Sequence, residues 1–447
     1  MKMKNVKLIT SKEIENSEVE LVKFALERIM EKMKYPEKLN NDLINMKVNP
    51  IFMYPSICML LGESKELLND EIDWDDVSYK YMLYIKNGIE SGHLRLTSSL
   101  FSGLAGVGFG VYSLYKSTSH YKKFIDSLNE VIINETLDLI NNMNLNDLHM
   151  STYDTISGLS GITGYLLLFK EETKIKKCIE VILEALISIT KDREVFGERV
   201  AGWHISSKNQ FLEQEKVMYK KGNFNLGISH GITGVLGILS IALKEGVEIE
   251  GHKNAINRIL IDLKKYLYID ENGYIYWPPT IKFEDYIVGN CEIHKSRASW
   301  CYGTPGIART MYLAGKMVND IESMNIGIKA IEGLCNMKDE DWMLDSPTMC
   351  HGYAGLLTVI QAMYLDTNKL IFDIGRKRLL KIILSFYSDD ARFVFHNIDF
   401  DHPYSEKSKL VKKDDISLLE GTCGILLSLL LFFKPITTNW MRHFLIN

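Results

Sequence analysis

Four side chains of metal-binding or acid–base type stand one or two residues before a glycine. His230 lies in SHG, Cys301 in WCYG, and Cys350 and His351 are neighbours in MCHG. Two thiolates and one imidazole are ligands that zinc takes in proteins, and a catalytic zinc site keeps a fourth position open for water or substrate. Soft sulfur ligands favour zinc over magnesium or calcium. The pattern therefore predicts one zinc ion, provided that the fold brings these side chains together.

Three further assignments follow from position, each with an alternative. His230 is either a fourth metal ligand or a separate acid or base. Asp154, in TYDTISGLSG, either orients an imidazole by hydrogen bonding or caps a helix. Arg297 precedes Cys301 by four residues, a spacing that predicts one shared helix face. From there it would offer positive charge to a developing enolate, unless it is an ordinary surface arginine.

The glycines beside these residues belong to an internal repeat. Pairs of glycines three residues apart precede apolar stretches six times, with their first glycines 49 to 73 residues apart, at Gly103, Gly158, Gly231, Gly303, Gly352 and Gly421. Such spacing accommodates two helices per repeat. The apolar stretches are typical of inner helices and the amphipathic stretches between them of outer helices. We therefore predict an all-α fold, an α/α toroid of six or seven inner and outer helix pairs.

In a toroid the glycine turns would lie at one end of the inner ring and converge on a central cavity. The first and last copies, at Gly103 and Gly421, carry no residue of ligand type in this interpretation and are expected to serve helix packing. Residues 187–226 interrupt the helical pattern, so we predict a small inserted lobe with some β structure within a single domain of residues 1–447.

Composition excludes several classes of protein. The net charge of −5 on 447 residues, with scattered lysines and arginines, predicts no nucleic-acid partner. The N-terminal sequence lacks the apolar core of a signal peptide, and no run of about 20 apolar residues is present. Seven widely spaced cysteines favour reduced thiols over a disulfide framework. We expect a cytoplasmic protein.

Several stretches resemble the class I lanthipeptide cyclases, the enzymes of lantibiotic biosynthesis. They are TYDTISGLSG, NFNLGISHGITG, SRASWCYGTPG and MCHGYAG, and GWHISSKNQF resembles the inserted lobe of that family. The resemblance implies that Cys301, Cys350 and His351 bind zinc, that His230 and Asp154 form a catalytic pair, and that Arg297 is functionally important. It also implies a dehydrated precursor peptide as substrate, thioether ring formation as the reaction, and a dehydratase and an exporter as partners at the inner membrane face.

Other functions fit parts of the same pattern. A toroid with a closed zinc site would suit a non-catalytic peptide-binding subunit of a modification complex. Protein prenyltransferases also activate thiols with zinc, and some terpene cyclases use a D-x-D-D acid, which residues 73–76 spell as DWDD. That motif lies in an acidic link and not at a glycine turn, so we interpret it as a helix cap.

Overall fold

The computed structural model describes residues 16–92, 96–292, 295–401 and 408–447. The helices in these ranges are α1 (Asn16–Met33), α2 (Pro36–Asn45), α3 (Tyr54–Ser64), α4 (Trp74–Glu90), α5 (Leu104–Thr118), α6 (Lys122–Asn141), α7 (Met150–Tyr153), α8 (Leu159–Leu166), α9 (Thr173–Ile189), α10 (Glu213–Met218), α11 (Ile232–Lys244), α12 (His252–Lys265), α13 (Phe283–Val288), α14 (Thr304–Val318), α15 (Ile321–Asn336), α16 (Tyr353–Thr367), α17 (Leu370–Ser385) and α18 (Thr422–Leu430). In this part of the chain no helix is long and apolar enough to cross a membrane.

Short strands form two-stranded antiparallel sheets that pair β1 with β2, β3 with β6, β4 with β5, and β7 with β8. Their bounds are β1 (Arg193–Val195), β2 (Glu198–Val200), β3 (Asn223–Asn225), β4 (Tyr268–Ile269), β5 (Ile275–Tyr276), β6 (Thr280–Lys282), β7 (His396–Phe400) and β8 (Leu410–Asp414).

The chain divides into two compact units. The first unit holds the described part of Met1–Leu96 together with Gly106–Ser127 and Leu344–Trp440, and so contains α1–α4, α16–α18, β7 and β8. The second unit holds Thr97–Ala105, Leu128–Met343 and Met441–Asn447, and so contains α7–α15 and β1–β6. Helices α5 and α6 contribute residues to both units.

Helices that follow a glycine turn are buried on every side. In the second unit every residue of α11 from Ile232 to Ala242 is buried, and in the first unit the same holds for α16 from Tyr353 to Met363. The helices after them show one buried face, as α12 does at Ala255, Ile259 and Leu263. This alternation matches the predicted inner and outer helices and arises because an all-apolar helix must be covered all round.

The turn glycines are required by close packing and not by an unusual backbone conformation. Gly231 and Gly352 precede α11 and α16 with φ of −112° and −126°, which is extended backbone that any residue adopts. A Cβ atom on Gly231 would lie 2.4 Å from Asn225 Oδ1, and one on Gly352 would lie 2.2 Å from the Ser346 carbonyl oxygen. A side chain at either turn would therefore displace backbone or buried polar atoms.

The region predicted as an inserted lobe, residues 187–226, contains β1, β2, the six-residue α10 and β3. Strand β3 pairs with β6, with Phe224 opposite Ile281, and β6 lies outside those limits. The β structure of this part of the second unit therefore extends beyond the predicted segment, and the limits of the lobe stay a prediction.

The D-x-D-D stretch caps a helix, as we interpreted it from the sequence. Asp73 is the N-cap of α4, and its Oδ1 accepts hydrogen bonds from the backbone N–H groups of Asp75 (3.1 Å) and Asp76 (3.0 Å). Such a cap satisfies donors that the first helical turn leaves open. Cap geometry therefore accounts for this motif.

Candidate active site

Three glycine turns of the second unit are joined by backbone hydrogen bonds. Thr155 N–H donates to the Ser229 carbonyl oxygen (3.0 Å), and the Thr155 hydroxyl donates to the Ile228 carbonyl oxygen (2.6 Å). The N–H groups of Ile228 (2.9 Å) and Ser229 (3.3 Å) both donate to the Cys301 carbonyl oxygen. Positions far apart in sequence therefore meet in one cluster of turns, as the repeat predicts for this unit.

His230 and Asp154 form a hydrogen-bonded pair in this cluster. His230 Nδ1 lies 2.5 Å from Asp154 Oδ2. The Asp154 side chain is fully buried, whereas 26% of the His230 side chain is exposed. An ionised carboxylate only accepts hydrogen bonds, so Nδ1 carries the proton and Nε2 is the ring nitrogen left to exchange a proton with a substrate.

The second oxygen of Asp154 fixes the carboxylate. Oδ1 accepts hydrogen bonds from the N–H groups of Ser157 (2.7 Å) and Gly158 (2.8 Å), just before α8 begins. Asp154 is therefore a partner of the imidazole that also closes the turn before α8; the alternative of a helix N-cap is wrong, because the N-cap of α8 is Gly158 and no side chain in the described part of the chain caps that helix. Both oxygens are engaged, which holds the imidazole of His230 in one orientation.

Two aromatic rings flank His230. The Phe211 ring meets the imidazole edge-on, with centroids 5.0 Å apart and planes at 70°, and the Tyr302 ring is 6.3 Å away. Burial raises the pKa of the Tyr302 hydroxyl far above its usual value. Tyr302 is therefore a neutral group beside the pair.

Cys301 lies in the same unit and is largely buried. It is a reduced cysteine, and its Sγ lies 3.5 Å from Ser299 Oγ.

The expectation that Arg297 shares a helix face with Cys301 is wrong. Residues 295–299 form an irregular segment, and α14 begins only at Thr304. A Cβ atom on Gly303 would lie 2.3 Å from the Arg297 carbonyl oxygen, so the chain folds back closely here and forms no helical turn.

Cys350 and His351 lie in the first unit, at the turn before α16. Both are half-buried, and Cys350 is a reduced cysteine. The Cys350 N–H donates to the Leu419 carbonyl oxygen (2.9 Å), which joins this turn to the one before α18. His351 Nε2 lies 4.0 Å from Asp399 Oδ1, on β7. A turn position allows adjacent side chains to point the same way, which a helix does not.

Among residues 16–92, 96–292, 295–401 and 408–447, no group of three or more His, Cys, Asp or Glu side chains is arranged to hold a metal ion. The zinc site therefore stays a prediction. It rests on the motifs and on the chemistry of the two thiols and the imidazole.

Sequence reasoning missed three residues at or near these turns. Tyr302 and Glu420 directly precede Gly303 and Gly421, the position that His230 and His351 take in their own turns. Burial, with Asp415 and Asp399 nearby, raises the pKa of Glu420 above its usual value. The repeat position was the signal for both, and the interpretation that the Gly421 copy lacks a ligand-type residue is wrong. Phe211 is the last residue of the GWHISSKNQF stretch that resembles the inserted lobe, but the resemblance implied no role for it.

Comparison with known proteins identifies relatives of this chain. A family model described as lanthionine synthetase C-like protein matches residues 54–445. The nisin biosynthesis protein NisC of Lactococcus lactis subsp. lactis is 30% identical over 321 residues, which cover 71% of this chain and 74% of that protein. The solved structure of nisin cyclase is similar with a TM-score of 0.74 and 26% identity, covering 88% of this chain and 90% of that one. The predicted fold class is confirmed by this likeness.

Proposed function

Because this chain belongs to the lanthionine synthetase C-like family, we propose that it closes thioether rings in a dehydrated precursor peptide. The reaction adds a cysteine thiol to dehydroalanine or dehydrobutyrine. The observation that carries the proposal is the His230–Asp154 pair, a partly exposed imidazole held by a buried carboxylate. Such a pair is suited to general acid–base catalysis.

The reaction needs no co-reactant. The thiol sulfur forms a bond to the β-carbon of the dehydro residue while the carbon–carbon π bond breaks. Its electron pair moves toward the neighbouring carbonyl as an enolate, and the α-carbon then takes one proton. The thiol loses one proton and the α-carbon gains one, so the peptide mass does not change on ring closure.

His230 is the group we assign to this proton. With Nδ1 fixed by Asp154, Nε2 would return a proton to the α-carbon as general acid, or first take the thiol proton as general base. Because the imidazole is held in one orientation, the proton would reach one face of the enolate. Arg297, in the segment before Cys301, would offer positive charge to the enolate oxygen.

Cys301, Cys350 and His351 would hold a zinc ion, for which two thiols and one imidazole are a fitting donor set. A zinc ion held there would supply a substrate thiolate at neutral pH, where a free thiol with a pKa of about 8.5 is mostly protonated. The proposal includes a cytoplasmic site of action, with a dehydratase and an exporter as partners at the inner membrane face.

The test is thiol alkylation followed by mass spectrometry on a dehydrated, cysteine-containing precursor peptide. With the wild-type protein we expect alkylation adducts to disappear while the peptide mass stays constant. A peptide that binds tightly but keeps every thiol alkylatable would contradict ring closure and would favour a peptide-binding subunit. Protein stripped of metal by a chelator serves as the control for the zinc proposal.

A further inference from the structure

Phe211 is a large apolar side chain in an unusual place. It is 49% exposed, yet its ring edge meets the imidazole of His230. Single exposed apolar residues are normal on protein surfaces, so exposure by itself means little. The contact with the candidate catalytic histidine places the partly exposed Phe211 ring directly beside the imidazole.

The backbone on both sides of Phe211 is held in place. Gln210 is buried, its Oε1 accepts from Asn223 Nδ2 (3.0 Å) and its Nε2 donates to the Ile205 carbonyl oxygen (3.3 Å). On the other side, the Leu212 N–H donates to Glu215 Oε2 (3.2 Å) at the start of α10. The backbone is therefore held by hydrogen bonds on both sides of Phe211.

The same segment is tied to the stretch that leads into Asp154. Asp147 accepts from Lys208 Nζ (2.9 Å) and from Asn209 Nδ2 (2.7 Å). Asn209 Nδ2 also donates to the Leu148 carbonyl oxygen (3.1 Å), just before α7. The hydrogen bonds from Lys208 and Asn209 lower the pKa of the Asp147 carboxyl. The position of Phe211 relative to the His230–Asp154 pair is therefore fixed from both chain segments.

We propose that Phe211 is a specificity-determining residue that selects an apolar side chain next to the dehydro residue of the peptide. This inference rests on the proposed function. Because the two rings are in contact, a peptide that brings its α-carbon to the imidazole would lie close to the Phe211 ring, and an apolar neighbour would remove the exposed half of that ring from water. A polar neighbour would lose hydration there without gaining a hydrogen bond, because the ring offers none.

The test is a competition between two dehydrated peptides that differ only in the residue beside the dehydroalanine, leucine in one and serine in the other. Wild-type protein should close the ring of the leucine peptide about tenfold faster in kcat/KM, the scale set by an apolar contact. Phe211→Ala should reduce this ratio to about one to two, mainly by raising KM for the leucine peptide. Phe211→Leu, which keeps an apolar surface, should retain most of the preference.

Phe196 provides the matched control. It is 64% exposed in the same region, but its ring packs on Phe283 with centroids 5.3 Å apart and not on His230. Phe196→Ala should therefore leave the ratio at its wild-type value. An unchanged ratio in Phe211→Ala would overturn the proposal. So would an equal fall in kcat for both peptides, since that would mean the ring only supports His230.

Binding separates this proposal from the proposed function. If the wild-type protein closes neither ring, the proposed function fails. Fluorescence polarisation with unreactive analogues, in which serine replaces the cysteine, then still measures the contribution of Phe211 to peptide affinity. Tighter binding of the leucine analogue that is lost in Phe211→Ala supports the role of Phe211, and equal affinities for both analogues contradict it.

Discussion

The turns before α11 and α16 share a backbone design and differ in what surrounds the histidine. In the second unit, His230 is hydrogen-bonded at 2.5 Å to Asp154, a fully buried carboxylate supplied by another turn. In the first unit, His351 has Asp399 at 4.0 Å, a carboxylate that is 28% exposed, and the thiol of Cys350 beside it in the chain. The repeat therefore supplies equivalent positions in the two turns, and the neighbours of each position decide its chemistry.

Replacing each histidine should separate the two turns most strongly. His230→Ala should slow ring closure about 10²- to 10⁴-fold, the range for loss of a general acid or base, while bound zinc stays at the wild-type level. His351→Ala should lower the zinc content because it removes one of the three proposed ligands. Ring-closure kinetics and metal analysis of the purified proteins measure both effects. Equal zinc loss in the two variants would contradict the division of roles.

Replacing the carboxylates should have a smaller effect. Asp154→Asn keeps an oxygen for the Ser157 and Gly158 N–H groups but removes the charged partner of His230. We expect a loss of about 10- to 100-fold in kcat, the scale for a residue that orients a ligand or catalytic group. Asp399→Asn serves as the matched variant and should change kcat by less than about threefold, since 4.0 Å is beyond hydrogen-bond distance. An equal loss of kcat in the two variants would contradict the different roles assigned to Asp154 and Asp399.

The glycines test what the turns have in common. Gly231→Ala and Gly352→Ala should each lower the free energy of unfolding by about 1–3 kcal/mol, because both place a Cβ within 2.4 Å of buried polar atoms. Gly197→Ala is the control, because Gly197 has φ of +80° and open space where a Cβ atom would lie. Only backbone strain should act there, and it should lower the free energy of unfolding by about 1 kcal/mol. Urea unfolding measures all three. A turn variant as stable as the wild type would show that packing at that turn can relax.

A weaker effect concerns pH and the buried histidines outside the pair. Burial lowers the pKa of His204 to about 4 and that of His443 to about 3. Each is neutral in the folded protein and takes a proton more readily when unfolded, near pH 6.5. Stability from this source is complete above about pH 6.5 and declines as the pH falls toward the folded values. His204→Gln should reduce the fall in melting temperature between pH 7 and pH 5. The same fall as in the wild type would exclude His204 as a contributor to this pH dependence.

The fold was readable from the sequence because its repeat is regular. Two glycines three apart before an apolar stretch predicted helices buried on every side, as α11 and α16 are. The amphipathic stretches between them predicted half-exposed outer helices, and α12 is one of these. The hydrogen bonds that join Thr155, Ser229 and Cys301 agree with the predicted convergence in the second unit. The roles that the resemblance implies for the site residues remain predictions.

Local geometry was harder to predict. The spacing of Arg297 and Cys301 resembles one helical turn, but residues 295–299 are irregular and Gly303 packs closely on the Arg297 carbonyl. Phe211 has no periodic partner in sequence, since its place is set by hydrogen bonds of its neighbours to distant segments.

The configuration of the α-carbon in the rings tests the central claim most directly. Hydrolysis of the product and chiral chromatography of the lanthionine would compare rings made by the wild type, by His230→Ala and without protein. We predict a single α-carbon configuration from the wild type, because the imidazole fixed by Asp154 delivers the proton to one face. His230→Ala should give the same mixture as the uncatalysed reaction. A mixture from the wild type, or a single configuration from His230→Ala, would contradict proton delivery by His230.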